Sequence, residues 1–95
     1  MTYIELLNAL QNRTHFQLTP IPADAFLSEI TDMIYNWCAL ANPQAQVERA
    51  AVVNALGPLR RRFMAGEGDA QDFRRLNQII EAIDAVFDDE AIPRR

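Results

Sequence analysis

Apolar residues along this chain recur every three to four positions in several separate stretches, the spacing that gives an α-helix one oily face. The first stretch carries Ile4, Leu7 and Leu10 in line with Leu6 beside them. It opens on Thr2-Tyr3-Ile4-Glu5, a capping box in which each polar side chain satisfies a free backbone N–H near the other. A short helix over Tyr3–Asn12 is predicted, and its single apolar face has to dock on something. Residues 13–22 hold two prolines, Pro20 and Pro22, which fix φ and push their predecessors toward extended backbone. That segment reads as a connector, ordered because Phe16, Leu18 and Ile21 are expected to reach the core.

A second helix is predicted over Ala23–Ala41. Phe26, Ile30, Met33, Trp37 and Leu40 follow an alternating four-three spacing, and Leu27, Ile34, Cys38 and Ala41 widen the stripe to about 160°. So wide a face suits the central helix of the fold. Asn42-Pro43 then ends that helix and offers a cap and first position to the next. The third helical stretch is predicted from Pro43 toward Ala65, with Val52, Leu56, Leu59 and Phe63 in line and Val53 and Met64 flanking them. Gly57-Pro58 interrupts it, and a split into two pieces is favoured over a kink. Gly66-Glu67-Gly68 makes a turn and Asp69 an N-cap. The last helix, over Ala70–Asp88, is lined by Phe73, Leu76, Ile80, Ile83 and Phe87, widened by Ile79 and Val86.

These elements predict an all-α protein, a compact bundle of four to five helices forming one domain over residues 1–95, with a frayed polar tail at 89–95. Its length of 95 residues, 49% of them hydrophobic, suits a single core. No stretch approaches the roughly 18 apolar residues of a membrane span, and the N-terminus lacks a secretory pattern. With a single cysteine, Cys38, this points to a cytoplasmic protein that does not engage a membrane. Stripes this wide leave two outcomes, a well-filled monomer or a face shared across a homodimer.

The residues argue against catalysis. Ser28 is the only serine and His15 the only histidine, and Cys38 lies on the apolar stripe beside Trp37, so a nucleophile oriented by a base is not assembled. One Cys and one His cannot supply a structural zinc site, and Asp88-Asp89-Glu90 lacks EF-hand spacing and reads as a solvated helix end. Gly66-Glu67-Gly68-Asp69 precedes a helix, but Glu67, Asp69 and Asp72 would repel phosphate. The sequence therefore predicts a non-enzyme without cofactor.

Charge changes this picture at one place. The net charge is −4, and residues 60–75 hold five arginines against three acids while the segments on either side are acidic. The balance makes general nucleic-acid affinity unfavourable. Arg60, Arg61, Arg62, Arg74 and Arg75 are the candidate partner-binding residues. They suit a protein partner, since arginine is enriched in interface hot spots. Tyr35, opposite the apolar stripe, is a second interface candidate. The alternative is a helix-turn-helix-like DNA-binding regulator that uses Arg74 and Arg75, with Gln71 and Gln78 beside them. Against it stand Asp69 and Asp72, at the helix start where base contacts are made.

Arg61-Arg62-Phe63-Met64-Ala65-Gly66-Glu67-Gly68, followed by Asp72-Phe73-Arg74-Arg75-Leu76 and Ile80, resembles a pattern in small helical accessory proteins carried by phages and plasmids. The resemblance covers about a quarter of the chain and transfers no functional residue. It implies binding and blocking of a host protein, such as a component of antiviral defence, as inhibitor or adaptor.

Overall fold

Four helices stand among the described residues: α1 (Tyr3–Thr14), α2 (Ala25–Cys38), α3 (Arg49–Met64) and α4 (Ala70–Ala91). The computed structural model describes residues 1–19 and 22–91, with no strand among them.

The capping box at the start of α1 is formed, with the Thr2 hydroxyl accepting from the Glu5 N–H and the Glu5 carboxylate from the Thr2 N–H. The helix closes on His15 in the left-handed region (φ 64°), whose N–H donates to the Gln11 carbonyl. The Gln11 side chain then organises the connector. Its Oε1 accepts from the backbone N–H groups of Leu18 (2.8 Å) and Thr19 (3.1 Å), holding Leu18 in the core. Phe16 packs half-buried against the same core, and Ile21 lies outside the described residues.

α2 is shorter than its periodicity suggests. Asp24 caps it by accepting from Phe26 and Leu27 N–H, and it ends at Cys38. The segment from Pro43 to Glu48 is not helical, a correction to the sequence reading. Asn42 makes an isolated turn instead, its side chain accepting from Gln44 N–H and its carbonyl from Ala45 N–H. The Val47 N–H donates to the Met1 carbonyl at 2.8 Å, so it cannot make an intrahelical bond, and Val47 is buried beside the start of α1.

The expected split at Gly57-Pro58 is also corrected, because α3 runs unbroken through Pro58. Pro58 is exposed, and its missing N–H deprives only the Asn54 carbonyl of its helical partner, on a side open to water. Leu56 and Leu59 on either side are buried, and side chains of that size contribute about 1.5–3 kcal/mol each when fully buried. Packing on both sides of the proline outweighs one lost bond.

Gly66 (φ 90°) and Gly68 (φ 86°) make the α3–α4 turn. A Cβ on Gly68 would come within 2.4 Å of the Phe63 ring, so glycine is required there on two counts. Asp69 accepts from the Gln71 N–H at 2.7 Å, and α4 continues to Ala91 rather than stopping at Asp88, so residues 89–91 belong to the helix. The rest of the expected tail lies outside the described residues.

The core is a single cluster built from every helix and the Leu18 loop, with Leu6, Leu10, Ile30, Ile34, Val52, Leu56, Leu76, Ile79 and Ile83 sealed from solvent. α2 packs on α3, α3 on α4, and α1 on α4 with a lighter contact to α2. Four large apolar residues placed on the predicted stripes are exposed instead: Ile4, Trp37, Leu40 and Met64 at 54%, 63%, 62% and 68%. On α2 the stripe runs from buried Ile30 through half-buried Met33 to Trp37 and then Leu40, so its apolar line continues past the point where neighbours cover it.

Candidate arginine site at the α3–α4 end

The end of the bundle formed by the start of α2, the end of α3 and the start of α4 is built around three phenylalanines. Phe63 stacks on Phe73 (centroids 5.4 Å apart, planes 6° apart) and meets Phe26 edge-on at 5.9 Å. The Arg75 guanidinium closes this cluster, lying 5.0 Å from the centre of the Phe26 ring. It also pairs with Asp24 at 3.0 Å and Asp72 at 2.5 Å, joining α4 to the residue that caps α2. The hydrogen bond from Arg75, ahead of those from Leu27 and Phe26 N–H, holds the Asp24 carboxyl below its ordinary range. Asp72, followed by Asp24, raises the Arg75 guanidinium.

The five candidate arginines therefore fall into distinct groups. Arg75 is spent on the fold, its side chain only 21% exposed. Arg62 reaches Glu29 of α2 at 3.9 Å, a long and exposed contact. Arg60, Arg61 and Arg74 are exposed and have no ion-pair partner among the described residues. Arg60 and Arg61 precede exposed Met64 by four and three positions, the spacings of neighbours on a helix surface. Arg74 follows Phe73, whose ring is stacked on Phe63, so it is held at the same end of the bundle.

Tyr35 is half-buried, and the Tyr3 ring meets it edge-on at 5.4 Å. The Tyr3 hydroxyl donates to the Thr31 carbonyl at 2.9 Å, and burial, reinforced by Asp32, pushes its ionisation up to about 12. Tyr35 thus contributes to the α1–α2 packing and offers only part of its ring to a partner. Cys38 is half-buried on the same helix, where burial pushes its thiol up and so keeps it protonated. His15 caps α1 through its backbone N–H, and its side chain is exposed.

Other ion pairs fasten helices rather than assemble a site. Arg49 bridges to Asp84 (2.7 Å) and Asp88 (3.0 Å), and Arg13 to Asp89 (2.9 Å). The hollow under the arginine end, lined by Leu59, Arg62, Phe63, Glu67 and Gly68, holds about 30 Å³, on the scale of a water rather than a substrate. A wider groove of about 350 Å³ between α1 and α4, lined by Arg13, Thr14, Gln78, Glu81, Ala82 and Ala85, is open to solvent. Among the described residues no group of three or more His, Cys, Asp or Glu side chains stands together as a metal-ligand set, and no helix is long and apolar enough to cross a membrane.

Exposed Met64 is the part of this surface that sequence reasoning missed. Its place on the flank of an apolar stripe signalled burial, and only the end of α3 against the Gly turn leaves it uncovered. No family model, curated protein or solved structure matches the chain.

Proposed function

We propose that this protein acts without catalysis by binding another protein through the α3–α4 end, with Arg60, Arg61 and Arg74 as the recognition cations and Met64 as the apolar contact among them. The observation that carries this reading is the division among the arginines. Arg75 is neutralised by two carboxylates, whereas Arg60, Arg61 and Arg74 have no ion-pair partner among the described residues, and Met64 on the same last turns of α3 as Arg60 and Arg61 is exposed. Free arginines beside a flexible apolar side chain suit a protein surface with carboxylates around an apolar recess, where arginine makes paired hydrogen bonds and methionine adapts to shape. The likeness of the Arg61–Ile80 region to phage and plasmid accessory proteins supports a role as inhibitor or adaptor of a host protein.

The DNA-binding reading has less support. One of its two arginines, Arg75, is engaged by Asp24 and Asp72, and Asp69 caps α4 while Asp72 stands in its first turn, where phosphates and bases would approach.

The test is affinity capture of partners from host extract by the tagged protein and by an Arg60→Glu/Arg61→Glu/Arg74→Glu variant, beside a DNA-binding titration at increasing salt. The expected result is one abundant protein retained by the wild type and lost from the variant, with negligible DNA binding. Salt-sensitive DNA binding that vanishes in Arg74→Ala would replace this reading with the regulator.

A further inference from the structure

α3 begins poorly. Thr2, Asp24 and Asp69 each accept with their side chains from a free backbone N–H at the starts of α1, α2 and α4, whereas Glu48 at the start of α3 makes no such bond. The first residue of α3 is Arg49 and no acid stands in its first turn, although that end of a helix favours anions.

Six positions before Glu48 the chain holds a better start that goes no further than one turn. The Asn42 side chain accepts from the Gln44 N–H at 3.1 Å and its carbonyl from the Ala45 N–H at 3.0 Å, the bonds of a capped first turn. Pro43 stands at the position where a helix takes proline most readily, and Gln44, Ala45 and Gln46 are good helix formers. What stops the helix is a tie to residue 1. In a continuous helix the Val47 N–H would donate to the Pro43 carbonyl; here it donates to the Met1 carbonyl at 2.8 Å, and the Met1 amino group donates to Gln46 Oε1. Val47 is buried by this arrangement. On a lengthened α3 it would stand five residues before buried Val52, about 140° round the axis from it, and its side chain would leave the core. Tie and helix exclude each other, because both claim the Val47 N–H and only the tie buries the Val47 side chain.

We infer that residues 42–48 are a conformational strap with two arrangements: held by Met1 they lie beside the start of α1, and released from it they join α3 as about one and a half further turns. Arg49, fixed to Asp84 and Asp88 of α4, marks the boundary. Lengthening therefore adds about 9 Å of helix beyond that point and leaves the α3–α4 packing in place. Whatever draws residue 1 away lengthens α3, and whatever lengthens α3 frees residue 1, since the two compete for one donor. The strap lies at the end of α3 remote from Met64 and the free arginines, so its test and that of the proposed function have separate outcomes.

The experiment compares backbone ¹³Cα chemical shifts of the full chain in the wild type and in Val47→Gln, which keeps the N–H but replaces the buried side chain with a polar helix former. The expected result is that the helical form of residues 43–48 rises from a minor population of at most about 10% to the majority, seen as helical shifts there with those of α4 unchanged. Adding Asn42→Ala, which removes the cap, should move them back toward the wild-type values. If Val47→Gln does not fold, saturation transfer on the wild type decides instead. It should reveal a minor state with helical shifts at 43–48, exchanging at the same rate as the Thr2 amide. Non-helical shifts at 43–48 in the folded variant, or helical shifts indifferent to Asn42→Ala, would overturn the inference. So would a wild type, in that second experiment, with no minor state or with one in which 43–48 are not helical.

Discussion

The two ends of α2 begin with the same kind of residue and finish differently. At its start Phe26 is met by Phe63, itself stacked on Phe73, and roofed by Arg75, a cation whose charge is answered by Asp24 and Asp72. At its finish Trp37 and Leu40 have no such roof. An apolar stripe at a helix end stays covered only if another element, or a long side chain such as arginine, reaches over it. The first end has both, because α3 and α4 meet there through a tight glycine turn. The second end feeds a loop in which Val47 folds back toward Met1, leaving the end of the stripe open.

The contrast predicts graded effects. Phe63→Ala removes the ring that touches both other phenylalanines and should cost about 3 kcal/mol, read as a fall in the denaturation midpoint with little change in slope. A loss below about 1 kcal/mol would mean that the aromatic end is not the tighter one. On the α1–α2 side, Tyr3 ionises near 12 in the fold against an ordinary 10.0. Between those pH values the unfolded chain loses the proton first, so stability falls as pH rises through this window. With allowance for solvent screening the loss is about 1 to 2 kcal/mol, and Tyr3→Phe should abolish that part of the alkaline decline in chemical denaturation. Arg75→Ala should cost about 1 kcal/mol, since it opens the roof over Phe26 and separates Asp24 from α4. Arg75→Lys should recover only part of this, because an ammonium cannot fork between two carboxylates while lying on a ring. Smallest of all, Trp37→Ser should change the stability of the monomer by no more than about 0.5 kcal/mol. A larger loss would show that Trp37 is covered by its own chain.

Much of the bundle was legible because its signals are local. The capping box at Thr2 and Glu5, the Asp69 cap and the three-four spacing of Leu76, Ile83 and their neighbours act within one or two turns, and each is formed as expected. The misplaced features depend on distant partners. Continuity of α3 through Pro58 depends on burial of Leu56 and Leu59, and the loss of helix at 43–48 on a bond between Val47 and Met1. The candidate site divides in the same way. Five arginines within sixteen positions are visible as a basic island. That Arg75 is consumed by Asp24, far away in the chain, is not visible there.

By itself, then, the sequence determined that the chain is helical, where α1 and α4 begin and which residues could face inward, because hydrogen-bond capping and helical periodicity are properties of neighbours along the chain. Only the tertiary structure decided which inward-facing residues find cover and which arginines keep a free charge. Burial and ion pairing depend on what another helix brings to the same place, and a periodic stripe carries no record of where its partner ends.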